Sequence, residues 1–252
     1  MYVYQTAHEI SQTICQAIHK GTPSSLLDIN IDGDWDTYRF GGGPAITYGN
    51  LRGAGEIVRL CEALSLDYYY VDHGYMNRGH FNGYYRITKN ALQSTKAYLD
   101  VPPDRFEQLN IKVQEWKKGD KILVIPLSVP LATFLGIDAN VWLDYTVGRL
   151  KRLTDREIVV KGKDGSPLAP YLENCHCVVT HSSNAAVDAI IAGVPAISTY
   201  LSGCSPVAHS DLTKIESPLY PDRRQWLYSL AYQQFTLEEF ANGAAWSIVS
   251  NL

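Results

Sequence analysis

Apolar runs that end in a polar or glycine-rich turn and lead into a helical pattern occur in both halves of this chain. In the first half, PAITYGN is an apolar strand pattern that ends in glycine. The LRGAGEIVRLCEALS segment after it places four apolar side chains on one helix face: Ile57, Val58, Cys61 and Leu64. DYYYVD follows as a second buried strand. Because strands that alternate with helices form parallel sheets covered on both faces, the first half is predicted to be Rossmann-like.

The same alternation restarts after turn and charge signals between Leu99 and Lys121. KILVIPLS, REIVVKGKDG and CVVTHSS are predicted strands, and NVWLDYTVGRLKRLT is a predicted helix. Two more helices are predicted in PDRRQWLYSLAYQQ and TLEEFANGAAWSIV, the second opened by a capping box of Thr236 and Glu239. A chain of 252 residues has room for two domains, and we predict residues 1–115 and 116–252.

Composition places the chain among folded globular proteins, since 46% of its residues are hydrophobic and 19% are charged. The formal net charge of −4 gives no overall attraction for a polyanion, so nucleic-acid binding would depend on local basic patches. The 5 cysteines are odd in number and scattered, unlike a disulfide framework. Without an apolar run of ~20 residues or a signal-peptide pattern, we expect a soluble cytoplasmic protein with no membrane span.

Polar residues crowd the turn that follows the strand CVVT. His181, Ser182, Ser183 and Asn184 can all hydrogen-bond phosphate or hydroxyl oxygens. Ligands of open α/β sheets bind at the carboxyl ends of strands, where a helix also offers free N–H groups. Asp188 lies one helical turn after Asn184, and we expect its carboxylate to accept hydrogen bonds from ribose hydroxyls. The alternative is a serine that only caps the helix and a solvated Asp188.

The first half has a glycine-rich loop of its own in GNLRGAGE. Its glycines allow the backbone to approach a ligand closely, but the spacing fits neither a dinucleotide fingerprint nor a P-loop. We therefore predict that Arg52 and Gly53 take part in donor binding. The alternative for Arg52 is a surface position over a helix N-terminus, which the helix dipole disfavours.

The segment from Asp188 to Pro195 resembles the donor-nucleotide signature of GT-B glycosyltransferases. In that family an acid is followed by glycine at the fifth position and proline at the seventh, which Gly193 and Pro195 match. The family acid is more often glutamate, and a Gly-Gly or His-Gly pair commonly takes the place of Ser182 and Ser183. The resemblance implies a nucleotide-sugar site at this turn.

The segment VVKGKDGSPLAPYLENCHCVVTHSS resembles a stretch in capsule-type and bacteriophage members of the same fold, where basic residues precede the final strand. The resemblance implies that Lys161 and Lys163 face the donor diphosphate, and a charged turn in solvent is the alternative.

With YGNLRGAGE, YYYVDHGY and the ending SPLYPDRRQWLYSLAYQQFTLEEFANGAAW, most of the chain is similar to small bacteriophage-type GT-B glycosyltransferase-like proteins. The resemblance implies an α/β, GT-B-like fold of two Rossmann-like domains whose parallel sheets face each other across a cleft. Residues 1–115 would form the acceptor-side domain and residues 116–252 the nucleotide-sugar-binding domain. The last helices would pack back on the first domain.

Asp72 and His73 end the second predicted strand and open a loop rich in aromatic, basic and amide side chains. Inverting sugar transfer needs a general base for the acceptor hydroxyl, and a carboxylate or histidine at this edge can supply it. We expect Asp72 to be the base and His73 to lie near the leaving phosphate. A purely structural Asp–His turn is the alternative.

Aromatic and basic residues interleave in the same loop, a mixture that stacks bases or sugar rings while holding phosphates. The predicted acceptor-binding residues are Tyr75, Arg78, His80 and Arg86.

The predicted activity is metal-independent transfer of a sugar from a nucleotide diphosphate sugar, with a UDP-sugar favoured, to a hydroxyl acceptor. The favoured acceptor is a hydroxymethylated pyrimidine in phage DNA, because WKKGDK, RLKR and PDRR supply local basic patches. The location would then be the host cytoplasm. The alternatives are a surface polysaccharide glycosyltransferase, a sugar-nucleotide epimerase and a non-catalytic nucleotide-binding module.

Two metal-like patterns are predicted not to bind metal. Cys175, His176 and Cys177 alternate along a strand and therefore point to opposite faces, and no second ligand pair completes a zinc site. The acids of NIDGDWD, which are Asp32, Asp34 and Asp36, lack the glutamate that a calcium loop requires at its twelfth position.

Overall fold

Two compact units make up the chain in a computed structural model that describes residues 1–29, 40–94 and 98–251. The first unit contains residues 1–94 and 230–252, and the second contains residues 95–229. The predicted boundary between residues 115 and 116 lies inside the second unit. The chain before it is hydrogen-bonded there, since the Gln114 amide donates to the Ile191 carbonyl at 2.8 Å and the Gln225 side chain donates to the Leu99 carbonyl at 2.6 Å.

Within the described ranges, ten strands and ten α-helices follow one another along the sequence. The strands are β1 (Tyr2–Gln5), β2 (Ser25–Asp28), β3 (Ala45–Tyr48), β4 (Tyr68–His73), β5 (Tyr85–Lys89), β6 (Lys121–Ile125), β7 (Ile158–Val160), β8 (Cys175–Thr180), β9 (Ala196–Ser198) and β10 (Gln234–Phe235) among the described residues. The helices are α1 (Glu9–Gly21), α2 (Ala54–Ala63), α3 (Asp104–Gln108), α4 (Val129–Leu135), α5 (Ala139–Leu150), α6 (Ala169–Leu172), α7 (Ala185–Ile191), α8 (Arg224–Ala231), α9 (Leu237–Ala241) and α10 (Ala244–Val249), again within the described ranges. In the described part of the second unit, short 3-10 turns cover Ser205–Val207 and Leu212–Lys214.

The sheet of the first unit has the strand order β10-β5-β4-β3-β1-β2. Strands β1 to β4 pair in parallel, as the alternation of strands and helices predicts. The sheet is mixed rather than wholly parallel, because β5 and β10 join it antiparallel. The loop from Gly74 to Tyr84 returns the chain directly as a hairpin, without the helix that a parallel crossover needs.

Helices cover both faces of this first sheet. Helix α1 packs on β1 and on α9, and α2 packs on β3. The predicted apolar face of α2 is confirmed for Ile57, Val58 and Cys61, which are fully buried. The prediction is wrong for Leu64, which is 57% exposed because α2 ends at Ala63. The predicted capping box of Thr236 and Glu239 opens α9.

The sheet of the second unit has the order β7-β6-β8-β9, and all its strands are parallel. All six residues of β8 are buried, which confirms the buried strand predicted for the Cys-His-Cys segment. The His176 Nε2 atom lies 2.8 Å from the Ile215 carbonyl, and burial raises the pKa of the Cys175 thiol to about 11. The α/β class and the Rossmann-like character of the chain are therefore confirmed.

Within the described ranges, no three His, Cys, Asp or Glu side chains lie close enough together to hold a metal ion. The NIDGDWD acids Asp32, Asp34 and Asp36 lie outside the residues that the structure describes. Among the helices described, none combines the length and the apolar character that crossing a membrane would require.

Candidate functional site

The carboxyl ends of the second sheet bring several polar segments to one edge. Because β6, β7, β8 and β9 are all parallel, the residues that follow them leave the sheet on the same side. Lys161 follows β7, the predicted donor-binding turn follows β8, and Thr199 follows β9. This edge is where open α/β sheets bind ligands, so it is the candidate site of the second unit.

The turn after β8 is held by its own hydroxyl groups. The Ser183 amide donates to the Thr180 hydroxyl at 3.3 Å, and the Ala185 amide donates to the Ser183 hydroxyl at 3.2 Å. Ser183 therefore helps to hold the turn that precedes α7, whose N-cap residue is Asn184. Ser182 is buried beside it, and its hydroxyl lies 3.1 Å from His181 Nδ1.

The His181 ring contacts two other aromatic rings, and no sequence pattern predicts these contacts. Its ring stacks on Tyr200, with centroids 5.0 Å apart and planes 20° apart, and the Trp142 ring meets it edge-on at 5.9 Å. Burial lowers the pKa of His181 below 6.5, so the imidazole is neutral near pH 7. A neutral His181 acts toward a ligand as a hydrogen-bonding group and not as a cation.

Asn184 and Asp188 follow the turn in the order that the sequence predicts. The Asp188 amide donates to the Asn184 carbonyl at 3.1 Å, so the two residues are one helical turn apart. Both side chains are partly buried. Asn184 precedes α7, and Asp188 is the fourth residue of that helix.

The two predicted lysines differ in their surroundings. Lys161 is buried, its ammonium donates to Asp164 at 2.8 Å and to the Gly162 carbonyl at 3.2 Å, and it lies over the Tyr171 ring. This hydrogen bond is the main reason that the pKa of Asp164 lies well below its ordinary value. Strand β6 separates β7 from β8, which places Lys161 about 10 Å from the donor turn along the sheet edge. Lys163 is exposed in the same turn.

Gly193, the glycine of the segment that resembles the GT-B donor signature, allows close packing of two backbone segments. It has φ +83°, and a Cβ at this position would lie 2.0 Å from the Glu115 carbonyl oxygen. The Lys117 amide donates to the Gly193 carbonyl at 2.7 Å. The glycine therefore lets the segment before β6 pack against the end of α7, and it serves the fold at a distance from the ligand edge.

In the first unit, Asp72 and His73 end β4 and are tied together by Arg86. The buried Arg86 side chain donates to Asp72 Oδ2 at 2.9 Å and to the His73 carbonyl at 2.6 Å. Asp72 Oδ1 accepts from the His73 amide at 2.8 Å, and the Tyr70 hydroxyl lies 3.3 Å from Oδ2. Both carboxylate oxygens of Asp72 thus already accept hydrogen bonds.

The imidazole of His73 is surrounded by rings. Tyr85 stacks on it at 6.0 Å, while Tyr48 and His80 meet it edge-on at 6.2 and 5.8 Å. Its Nε2 atom lies 3.4 Å from the Tyr48 hydroxyl, and its buried Nδ1 atom has no hydrogen-bond partner among the described residues. Burial is the main cause that lowers the pKa of His73. No sequence pattern singles out Tyr48, which lies at the end of a predicted strand.

The predicted acceptor-binding residues do not share one surface. Tyr75 is fully buried, and its hydroxyl accepts from the Ser94 amide at 3.1 Å, which is a packing position. Arg86 is buried as well, and it holds Asp72 and His73 in place. Arg78 and His80 are exposed, and Arg78 donates to the Tyr75 carbonyl at 2.6 Å.

Arg52 and Gly53 lie in the turn between β3 and α2 of the first unit, whereas the other predicted donor-binding residues belong to the second unit. Both have positive φ angles, +55° for Arg52 and +87° for Gly53. Arg52 is exposed, and Gly53 is the residue that precedes α2.

Two of the predicted DNA-binding clusters, WKKGDK and PDRR, contact each other, since the Trp116 indole donates to the Pro221 carbonyl at 3.3 Å. In PDRR, Arg223 is buried, donates to the Ile190 carbonyl at 2.6 Å and lies 4.0 Å from the centre of the Trp116 ring. Arg224 pairs with Asp222 beside it. This cluster therefore stabilises the second unit and leaves little free positive charge.

A wide, shallow cavity of about 710 Å³ lies elsewhere in the second unit, beside Lys121, the first residue of β6. Its charged lining is internally paired, since Arg156 contacts Glu216 at 3.0 Å and donates to the Gly119 carbonyl at 3.0 Å. The cavity is at the amino ends of the strands, opposite the edge where α/β sheets bind ligands. We therefore place the candidate site at the carboxyl edge.

Neither a protein-family model nor a curated protein sequence matches this chain. Solved structures that share its fold include two from Thermosulfurimonas dismutans. Thermosulfurimonas dismutans KpsC, beta Kdo 2,4 transferase, matches with a TM-score of 0.53 and 12% identity over 93% of this chain and 91% of that chain. Thermosulfurimonas dismutans KpsC, beta Kdo 2,7 transferase, matches with a TM-score of 0.54 and 13% identity over 100% of this chain and 99% of that chain. At identities this low, the structural likeness shows a common fold and no more.

Proposed function

We propose that this protein is a glycosyltransferase that moves a sugar from a nucleotide sugar to a hydroxyl acceptor. The observation that carries the proposal is the fold, which both similar structures share over more than nine tenths of their length. Both are named as Kdo transferases. Two Rossmann-like units are also the arrangement of the GT-B class that the sequence resembles, and we propose that class here.

We propose that the donor nucleotide binds at the carboxyl edge of the second sheet. Ser182, Asn184 and Asp188 supply hydroxyl, amide and carboxylate groups there. The neutral, buried His181 directly precedes Ser182. A carboxylate one turn behind such a site can accept hydrogen bonds from the ribose. Lys161, which Asp164 already neutralises, contributes less to the diphosphate than the sequence predicts. No step of this scheme requires a metal.

A saccharide hydroxyl is the acceptor that we propose, in place of modified phage DNA. The structural relatives are named for sugar transfer and not for a nucleic-acid activity. In addition, the buried Arg223 of PDRR cannot contribute to a surface for a polyanion. Surface polysaccharide synthesis is therefore the favoured setting.

For the chemistry, we propose that His73 and Asp72 form one proton-accepting unit. The acceptor O–H loses its proton to this unit, its oxygen bonds to the anomeric carbon, and the nucleotide leaves with the electrons of the broken C–O bond. His73 is the better base of the two, because both Asp72 oxygens already accept hydrogen bonds. Its lowered pKa keeps the imidazole neutral and able to accept a proton.

The test is release of free nucleotide from sugar nucleotides by the wild-type protein and by His73→Asn, Asp72→Asn and His8→Asn. Removing a general base lowers the rate by roughly 10²–10⁴-fold, so we expect His73→Asn to lose activity while retaining donor binding. The exposed His8 is a matched control and should have no effect.

Three outcomes would contradict the proposal. A wild-type protein that binds a sugar nucleotide without ever releasing product would be a binding module. An isomerised sugar nucleotide as the product would indicate an epimerase. Full activity of both His73→Asn and Asp72→Asn would remove these residues from the mechanism.

A further inference from the structure

A ring at the carboxyl edge of the second sheet is exposed and yet held in one orientation. Tyr200 follows β9 and is 56% exposed, while His181, which stacks on one face of its ring, is buried. Since the two rings are nearly parallel, the exposure of Tyr200 belongs to its other face and its edge. An isolated surface aromatic needs no special explanation, but one that is fixed beside a candidate site does.

A backbone hydrogen bond and the Ser198 hydroxyl join the two residues whose rings stack. The Tyr200 amide donates to the His181 carbonyl at 2.9 Å. The Ser198 hydroxyl lies 2.8 Å from the His181 carbonyl and 2.9 Å from the Tyr200 carbonyl. The two residues that stack are therefore also joined through their backbones, and the orientation of the ring is set before any ligand arrives.

Trp142 also contacts the stacked rings of His181 and Tyr200, through the His181 ring. The Trp142 ring meets His181 edge-on, and its Nε1 donates to the Thr199 hydroxyl at 3.2 Å. The Thr199 amide in turn donates to the Thr180 carbonyl at 2.9 Å, which links the ends of β8 and β9. A ring that is held this way loses little conformational freedom when a ligand stacks on it.

We propose that the outer face of Tyr200 is the stacking platform for the nucleobase of the donor, with the polar turn after β8 holding the rest of the nucleotide. The inference rests on the proposed function and adds to it the residue that recognises the base. Ser182 follows His181 directly, so the platform and the polar turn adjoin each other at one sheet edge. Stacking on an aromatic ring suits any base, and it is worth roughly 10- to 100-fold in affinity per base.

The test is calorimetric titration of the full-length protein with CMP, UMP, AMP and GMP, and with inorganic pyrophosphate as a ligand that has no base. We expect Tyr200→Ala to weaken the best-bound nucleotide roughly 10- to 100-fold and to leave the affinity for pyrophosphate unchanged. Tyr200→Phe keeps the ring and should bind nucleotide within about twofold of the wild type.

Tyr220 provides the matched control. It is also an exposed tyrosine of the second unit, at 41%, and it also contacts an aromatic ring, Trp116, at 5.5 Å. It lies near Arg156, on the side where β6 begins, so Tyr220→Ala should leave nucleotide binding unchanged. Thermal unfolding of each variant shows that the protein remains folded.

Nucleotide affinity in Tyr200→Ala equal to that of the wild type would overturn the platform and leave the donor site in place. Equal losses in Tyr200→Phe and Tyr200→Ala would also overturn it, because the ring face would then not be the binding element. If the wild-type protein binds none of the four nucleotides, both the platform and the proposed function are wrong.

Discussion

Arg86 shows how one buried side chain can organise the end of a strand. It spans Asp72 and His73 by side-chain hydrogen bonds, and its guanidinium lies 5.5 Å from the centre of the Tyr75 ring. Burial disfavours its charge, but the Asp72 carboxylate beside it holds the pKa of the guanidinium above its ordinary value. Arg86 is therefore a positioning residue for the proposed proton acceptors.

Replacing Arg86 by leucine should destabilise the protein by about 2–3 kcal/mol. Breaking a fully buried ion pair costs about 3–5 kcal/mol, and the cost is smaller here because the Asp72 side chain is 29% exposed. The same hairpin offers a control in the exposed pair of Lys89 and Asp67, where Lys89→Ala should cost less than about 1 kcal/mol. Urea denaturation measures both, and equal costs would contradict the organising role of Arg86.

The buried His181 should make stability depend on pH. Its pKa in the folded protein is lowered from 6.5, so below pH 6.5 the unfolded chain binds a proton that the folded chain does not. The free energy of unfolding should therefore fall as the pH drops below about 6.5. His181→Phe keeps a ring between Tyr200 and Trp142 and should reduce this slope, with the remainder coming from His73.

Urea unfolding at pH 5.5 and 7.5 measures that slope. An unchanged slope in His181→Phe would mean that this ring is protonated as easily in the folded protein as in the unfolded chain.

Among the elements, the packing of the segment before β6 against the end of α7 depends on Gly193, because this residue has no side chain. Alanine at position 193 would place its Cβ against the Glu115 carbonyl and would also keep a left-handed backbone. The expected cost is about 2–4 kcal/mol, as the sum of a steric and a conformational term. Gly165 has the same φ of +83° and open space around it, so Gly165→Ala should cost only about 1 kcal/mol.

Chemical denaturation of these two glycine variants separates the steric term from the conformational one. Equal losses of stability at both positions would show that the segment before β6 can shift away, and that Gly193 is not required for the packing of that segment.

The elements that the sequence predicted best are those with a strong local pattern. Helix α2, strand β4, strand β8 and the capping box of α9 all follow from apolar periodicity or from capping residues. The sequence predicts a functional loop where β5 lies, because Tyr85 and Arg86 have the composition of a binding loop. Its identity as a strand comes from antiparallel pairing with β4, a contact that no local pattern encodes.

The candidate site shows the same division between residues with a local sequence pattern and residues placed by strand pairing. The polar turn from His181 to Asn184 stands out because it follows a strongly apolar strand. Tyr200 does not stand out, since β9 before it has only three residues and its position is set by pairing with β8. The prediction for Lys161 rests on the resemblance to capsule-type and bacteriophage members of the fold, and only the structure shows that Asp164 pairs with it.

At the scale of the whole molecule, the chain forms two α/β units, and the second unit ends before the chain does. Residues 230–252 complete the first unit, where β10 pairs with β5 and α9 packs on α1. The similar solved structures match this chain over nearly its full length, at 12% and 13% identity. The common fold is thus retained while most side chains differ, so function has to be tested at the site.

The most direct test of the central claim is a thermal-shift screen of the full-length protein against UDP, GDP, ADP, CMP and their sugar conjugates. A ligand at 100 times its Kd stabilises the native state by about 2.7 kcal/mol, which is readily seen as a rise in Tm. We predict that at least one nucleotide raises the Tm and that Asp188→Ala abolishes the rise. No rise with any nucleotide, or an undiminished rise in Asp188→Ala, would contradict a donor site at the carboxyl edge of the second sheet.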